Sequence, residues 1–342
     1  MSDPRTLDGI LVSVIVPAYN AARTLPVCLA KLENQTVSWS SYEVIVVDDG
    51  STDATWEITQ SYGVRLLTQP NHGPAAARNL GVQAAQGEIL LFTDADCAPA
   101  PDWIAAMIEP LADPDVIGVK GAYRTRQRGL VARFVQAEYE DKYDKMRQER
   151  YIDFVDTYAA AYRRCVFADG QGFDPAFPRA SGEDVEFSYR LARQGYKMVF
   201  APKAVVYHQH VASVLDYLRR KYYVGYWRVR MYRKHPQKAL ADSHTPQMLK
   251  AQVGLVLLMV ATLLASLLWR SFLVGAVMLV VLFGLSTVPF GLKTLKKDLS
   301  VALVSPALLF LRALALGIGF GMGILDHIVL SLIHISEPTR PY

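Results

Sequence analysis

Asp94 and Asp96 stand two apart in Phe92-Thr93-Asp94-Ala95-Asp96-Cys97, at the end of the apolar run Ile89-Leu90-Leu91-Phe92. In an extended chain alternate side chains share a face, so the two carboxylates are expected to project together while Ala95 turns away. Charges that close repel unless something positive sits between them. Hard oxygen ligands of this kind suit Mg²⁺ or Mn²⁺, either of which also binds a diphosphate. A lone Asp-x-Asp is more often a solvated turn; its place at the end of an apolar strand, beside other polar strand ends, favours the metal.

Other candidates have the same two-sided character. Asp49, in Asp48-Asp49-Gly50-Ser51-Thr52-Asp53, could accept a hydrogen bond from a nucleobase N–H, while Ser51, Thr52 or Asp53 caps a helix. Arg78, one turn into a helix opened by Gly73-Pro74, either faces a phosphate or base or is a surface cation. Glu183 and Asp184 precede a helical pattern, Val185 to Arg193, whose N-terminal dipole is expected to keep a carboxylate ionised; otherwise they are plain first-turn acids. His208 and His210 share a strand face, and either could complete a metal shell or touch a diphosphate, or else be structural or face the acceptor. Arg163-Arg164 is either a pocket cation or a surface pair.

The elements that position these residues follow from periodicity. Val12–Val16, Glu43–Val47, Val64–Leu67 and Ile89–Thr93 read as short strands, alternating with helices over Leu25–Leu32, up to Ser61, and Pro74–Ala85. Such alternation implies an α/β fold with a mostly parallel sheet, whose ligands gather at the carboxyl ends of the strands. Pro17-Ala18-Tyr19-Asn20, Asp48–Asp53 and Asp94-Ala95-Asp96 each fall at such an end and should line one crevice. Beyond Pro99 a helix (Trp103–Leu111), a strand (Val116–Ala122) and a long charged helix (Leu130–Arg150) suggest a mixed second half.

VSVIVPAYN, VDDGSTD, NHGPAAARN, GEILLFTDADC and GFDPAFPRASGEDVEFSYRLARQGYKMVFAPKAVVYH, in order over Val12–His210, resemble glycosyltransferase family 2, inverting enzymes of GT-A fold. The resemblance implies a nucleotide-sugar donor such as a UDP-sugar, a Mg²⁺ or Mn²⁺ ion, and transfer with inversion. Carried onto matching positions, it implies a donor site of Pro17, Ala18, Tyr19, Asn20, Asp49, Arg78, Asp94, Ala95, Asp96 and Glu183. It makes Asp96 and Asp94, with His208, the metal ligands, and Asp184 the base. The Gln/Arg-x-x-Arg-Trp motif of processive synthases is missing, which favours single-sugar transfer.

The 342 residues carry a formal charge of +4, and their mean hydropathy of +0.15 is high for a soluble protein. The excess lies in Leu249–Leu268, Phe272–Leu292 and Val301–Leu325, each long enough to cross a bilayer. Arg312 and Pro306 interrupt the third, and a charge there must face neighbouring helices or snorkel. Lys293, Lys296 and Lys297 place the link between the second and third spans, and with it the N-terminal domain, on the cytoplasmic side. No secretory signal is expected in Met1–Gly9. Cys28, Cys97 and Cys165 have no paired spacing, as befits reduced cytoplasmic thiols.

The expected organisation is a GT-A domain over 1–218, a basic aromatic interfacial segment over 219–248, a membrane domain of about three helices over 249–330, and an artefactual tail over 331–342. The acceptor is then membrane-associated, such as a lipid-linked glycan of the cell envelope, with membrane lipids rather than nucleic acid as the other partner. The enzyme would be an integral protein of a bacterial inner membrane. The alternatives are a polyprenyl-phosphate glycosyltransferase, a non-catalytic nucleotide-sugar-binding membrane protein, and a nucleotidyltransferase.

Overall fold

The computed structural model describes residues 12–170, 172–176, 182–240 and 242–336. The segment Met1–Gly9, part of the loop before Glu183 and the end of the tail lie outside the described residues. In chain order the elements are β1 (Val12–Ala18), α1 (Leu25–Glu33), β2 (Tyr42–Asp48), α2 (Thr55–Gln60), β3 (Arg65–Thr68), α3 (Pro74–Ala84), β4 (Ile89–Phe92), β5 (Cys97–Pro99) and α4 (Trp103–Ile108). Then follow β6 (Val116–Arg124), α5 (Leu130–Met146), β7 (Ala160–Arg163), α6 (Glu183–Arg193), β8 (Lys197–His208), α7 (Val214–Lys234), α8 (Gln247–Ala265), α9 (Phe272–Leu295) and α10 (Leu299–Ser336). Their described residues form two compact units, one within 1–127, 142–210 and 242–244, the other within 128–141, 211–241 and 245–342.

The first unit is built on one sheet in the order β3-β2-β1-β4-β7-β6-β8-β5. β1 is parallel to both β2 and β4, and β2 to β3, so the chain winds outward in both directions from β1. Buried β-branched residues such as Val14, Ile15, Val44, Ile45, Val46 and Val47 drive these strands, because a branched Cβ packs well on a pleated, covered surface. On α1, Leu25, Cys28, Leu29 and Leu32 recur at helical spacing and are all buried. The edge of the sheet beyond β4 is mixed: β7 is antiparallel to β4 and to β6, β8 is parallel to β6, and β5 closes antiparallel on β8.

Several local expectations are corrected. α2 begins at Thr55 with Ala54 at its N-cap, so neither Ser51 nor Thr52 caps it; of the expected residues Asp53 is the one whose carboxylate meets the helix start, Oδ1 accepting the Thr55 N–H at 3.0 Å. The intervening polar residues instead tie two loops together: the Ser51 hydroxyl accepts the Asn20 N–H at 2.9 Å, Asn20 Oδ1 accepts the Thr52 N–H at 2.8 Å, and Asp53 accepts the Ala22 N–H at 3.1 Å. β5 and β7 were not anticipated, and β8 extends over twelve residues where the pattern announced only Ala204–Tyr207. α5 stops at Met146 rather than Arg150.

In the second unit α8, α9 and α10, over Gln247–Ala265, Phe272–Leu295 and Leu299–Ile328, are each long and apolar enough to cross a membrane. The basic aromatic residues from Arg219 to Lys234 fall on α7, which packs along α10. There the glycines decide the geometry: a Cβ on Gly225 would lie 2.2 Å from the Leu316 carbonyl oxygen, and one on Gly319 2.0 Å from that of Tyr222. The backbones approach as only small residues allow. Arg312 meets the cost of its charge by facing its neighbours, bonding Glu138 of α5 at 2.8 Å and Gln252 of α8 at 2.6 Å. Glu138 also pairs with Lys221 at 3.0 Å.

Candidate active site

The loops after β1, β2 and β4 converge where the strand order reverses, the place at which open α/β sheets bind ligands. They line a cavity of about 690 Å³, within the range that holds a nucleotide-sized ligand. Pro17 and Ala18 end β1 with Tyr19 and Asn20 just after them, Asp49 follows β2, Arg78 lies on α3, and Asp94, Ala95 and Asp96 follow β4. Nine expected residues thus share one cavity. Tyr19 is 52% exposed at the mouth, an aromatic face open to a flat ring. Asn71 and Gly73 also line it, though neither was expected as a site residue; the signal was the Asn-His-Gly-Pro loop, where Gly73 adopts φ 88°.

Asp94 and Asp96 converge by a different route from the one expected. β4 ends at Phe92, and the two aspartates sit in a tight turn closed by the Cys97 N–H on the Asp94 carbonyl at 3.0 Å. A turn, not strand alternation, brings one atom each of Asp94, Asp96 and Cys97 within 4.8 Å of one another. His208, at the end of β8, lies 3.2 Å from Asp96 Oδ2 and stacks on Tyr123, with His210 Nδ1 at 3.3 Å from its own Nδ1. Two hard carboxylates backed by an imidazole fit a Mg²⁺ or Mn²⁺ ion, and the buried Cys97 thiol is the outlying donor.

Asp49 is buried and already well used. Its Oδ1 accepts from Gln69 Nε2 at 2.6 Å and the His72 N–H at 2.9 Å, and its Oδ2 from the Gly73 N–H at 2.8 Å. It therefore shapes the Asn71–Pro74 loop, with limited remaining capacity for a base.

Arg78 is not a surface cation: it is 2% exposed. Its guanidinium spans two carboxylates, Nη1 to Glu183 at 2.7 Å and Nη2 to Asp94 at 2.9 Å. Burial opposes its charge, but Asp94, Glu183 and Asp184 outweigh that cost and push its proton affinity up. Burial likewise raises the Asp94 carboxyl against the pull of Arg78. At Asp96 burial acts upward too, yet the His208 hydrogen bond and charge prevail and hold it below the usual range.

α6 begins at Glu183, two residues before the expected pattern, so the Glu183-Asp184 pair forms its first turn. The Val185 N–H bonds Asp184 Oδ1 at 2.8 Å. The helix terminus does not keep Asp184 strongly acidic: burial, then the neighbouring Glu183 charge, push its carboxyl up to about 7. Desolvation exceeds the dipole here. Arg78 and Lys120 pull the other way. Lys120 escaped notice, although a lysine inside Val116–Tyr123 was the visible signal. It is fully buried, pairs with Asp156, donates to the Tyr158 hydroxyl at 3.1 Å, and is held well below its ordinary value by burial.

Arg163 and Arg164 are no pocket cations. Arg163 pairs with Ile89 at the opposite end of β4 and donates to the carbonyls of Val116 and Leu111, at 3.0 and 2.6 Å. Arg164 donates to the Ala85 carbonyl.

The sheet, the crevice and the acidic turn define a sugar-transferring GT-A fold, and the chain belongs to glycosyltransferase family 2. The model of that family, "Glycosyl transferase family 2", matches residues 13–170. The chain is 31% identical over 224 residues to the glycosyltransferase AglE of Haloferax volcanii, covering 63% of this chain and 71% of that one. It is 29% identical over 243 residues to a chondroitin synthase of Escherichia coli, covering 59% of this chain but 35% of the synthase. With a pre-mycofactocin glycosyltransferase of Mycobacterium tuberculosis it shares 28% over 237 residues, 66% of this chain and 48% of that protein. Among solved structures, the mannosyltransferase PcManGT of Pyrobaculum calidifontis, in complex with GDP-Man and Mn²⁺, superposes with a TM-score of 0.57 at 20% identity, covering 92% of this chain and 87% of that one. That likeness concerns the fold.

Proposed function

We propose that the protein is a metal-dependent inverting glycosyltransferase that moves one sugar from a nucleotide-sugar donor, such as a UDP-sugar, to a hydroxyl of a membrane-associated acceptor. The observation that carries this reading is the pair of acidic groups bridged by Arg78: Asp94 and Asp96 on the cavity side, Glu183 and Asp184 on α6. Tyr19 and the loops of Pro17–Asn20 and Asn71–Pro74 would hold the nucleoside. Asp94 and Asp96, backed by His208, would hold Mg²⁺ or Mn²⁺, which when bound would offset the charge growing on the departing diphosphate.

Asp184 would take the proton of the attacking hydroxyl. A carboxyl raised to about 7 is poised for that task, because it is part-ionised at neutral pH yet basic enough to accept. Arg78 fixes Glu183, and through it the first turn of α6, relative to Asp94. The raised value also favours a hydroxyl acceptor, as on a lipid-linked glycan, over a polyprenyl phosphate, whose oxygen is anionic before attack. The three apolar helices support attachment to a bacterial inner membrane with the catalytic unit cytoplasmic, in line with Lys293, Lys296 and Lys297 between the second and third spans.

The test is a panel of nucleotide sugars offered to the full-length protein in detergent, with Mn²⁺, Mg²⁺ or EDTA. Metal-dependent release of a nucleoside diphosphate from one donor supports the enzyme. Tight binding without turnover would support a non-catalytic nucleotide-sugar-binding protein instead, and pyrophosphate release from a nucleoside triphosphate a nucleotidyltransferase.

A further inference from the structure

β6 carries a lysine inside an otherwise uncharged buried run: residues 116–123 are all buried, and Lys120 completely so. The strand has no spare room beside it. A Cβ on Gly121 would lie 2.5 Å from the Ala204 carbonyl oxygen, and one on Gly118 2.8 Å from Met198 Cγ. The ammonium finds its partners in one segment, residues 154–158. It pairs with the Asp156 carboxylate, donates to the Tyr158 hydroxyl at 3.1 Å, and lies 5.1 and 4.8 Å from the ring centres of Phe154 and Tyr158. The Tyr158 hydroxyl is in turn 2.9 Å from that of Tyr143, which accepts the Tyr123 N–H at 2.7 Å.

The same segment grips α6. The Val155 N–H bonds the Ser188 hydroxyl at 3.0 Å, and that hydroxyl donates to the Asp184 carbonyl at 2.7 Å. Val155 directly precedes Asp156, so the clamp on Lys120 and the hold on the first turn of α6 form one connected set of bonds. Lys120 and Asp184 also act on each other's charge: the ammonium pulls the Asp184 carboxyl down against burial, and the carboxylate supports the ammonium. The other groups that bear on them are Glu183, which raises Asp184, Arg78, which lowers it, Lys142, which opposes the charge of Lys120, and Asp156, which pairs with it. A buried ion pair is often no more stable than apolar side chains of similar volume, so the fold alone gives little reason to keep one here.

We propose that Lys120 is a positioning residue for transfer: with Asp156 and Tyr158 it fixes the segment that steadies the first turn of α6, and it keeps a positive charge within electrostatic reach of Asp184. This rests on the reading of Asp184 as the base. Arg78 holds that turn through Glu183, and Lys120 holds it through Ser188. The charge of Lys120 favours the carboxylate form of Asp184, and so sets how far into the acid range the base stays ready to accept a proton.

Infrared difference spectroscopy reads the C=O stretch of a protonated carboxyl directly, and needs neither donor nor acceptor. In the full-length protein in detergent, a band that is missing in Asp184→Asn should titrate with a midpoint of about 7. Lys120→Gln, which can still bond Asp156 and Tyr158, and Lys120→Met should both move that midpoint up by about one pH unit, tenfold in proton affinity. Lys120→Arg should restore most of the shift. A lysine that only supported the fold would change stability and leave the midpoint where it was. An unmoved midpoint in the folded neutral variants, with transfer lost in Asp184→Asn, overturns this inference alone. Transfer at the wild-type rate in Asp184→Asn would instead sink the reading of the base, and with it the role of Lys120, whatever the band does. Should the neutral variants fail to fold, Tyr158→Phe decides. It withdraws one acceptor from the ammonium and favours the neutral amine, so the midpoint should rise by a smaller amount, and no rise counts against the inference.

Discussion

Each unit of the molecule buries an arginine against carboxylates, and the two clusters are balanced in opposite ways. In the helical unit Glu138 receives both Arg312 and Lys221, and Gln252 takes the remaining fork of Arg312. There two cations share one carboxylate and a neutral amide, so the excess is positive. In the sheet unit Arg78 serves Asp94 and Glu183, while Asp96 and Asp184 lie alongside. Carboxylates exceed cations there, and the surplus opens onto a cavity. The helical cluster is met by side chains packed around it, whereas a carboxylate surplus beside open space can take up a positive charge from outside.

The sharpest way to break this contrast is at Asp184, the proposed base. Asp184→Asn should lower transfer by about 10³-fold or more while donor binding, read by calorimetry, is kept. Removing an arginine comes next. Arg78→Met leaves two carboxylates without their partner and should cost about 3 kcal/mol or more in unfolding free energy, with loss of transfer. Arg312→Met should cost about as much stability in detergent, again by stranding Glu138, with transfer per folded molecule kept.

The apolar replacement Glu138→Leu/Lys221→Met/Arg312→Met should recover most of that stability, because a cluster met by packed side chains can be exchanged for packing. No such exchange should restore transfer at Arg78. The smallest effect is on pH. Transfer should rise as pH increases through about 7, following ionisation of Asp184, and Asp184→Asn should lack that limb. The folded value lies above the ordinary 3.8, so the native state binds the proton more tightly, and this group's contribution to stability falls as pH rises from about 4 to about 7. A pH series of chemical unfolding checks the sign.

The parallel half of the sheet was legible because each of its strands is a short buried apolar run ended by polar residues. β5 and β7 were not, since three or four residues carry too little periodicity and owe their strand form to neighbours already in place. The first part of β8 was hidden by Pro202 and by Lys197 and Lys203, which look like loop residues until the register with β6 is known. At the site, residue types were readable and geometry was not. Asp94 and Asp96 meet through a turn, Asp49 spends its oxygens on its own loop, and Arg78 spends its charge on Glu183, 105 positions away. Long-range partners of this kind leave no trace in local spacing. Desolvation at Asp184 is likewise a property of the packed unit.

The claim on which the rest depends is that the carboxylate surplus at the β4 turn takes up a divalent ion together with the donor diphosphate. Electron paramagnetic resonance of Mn²⁺, titrated into the full-length protein with and without UDP, measures it directly. One tightly bound ion per chain that needs UDP and is lost in Asp94→Asn/Asp96→Asn is the expected result. Undiminished sugar transfer in EDTA, with no bound Mn²⁺ at any UDP concentration, would contradict it.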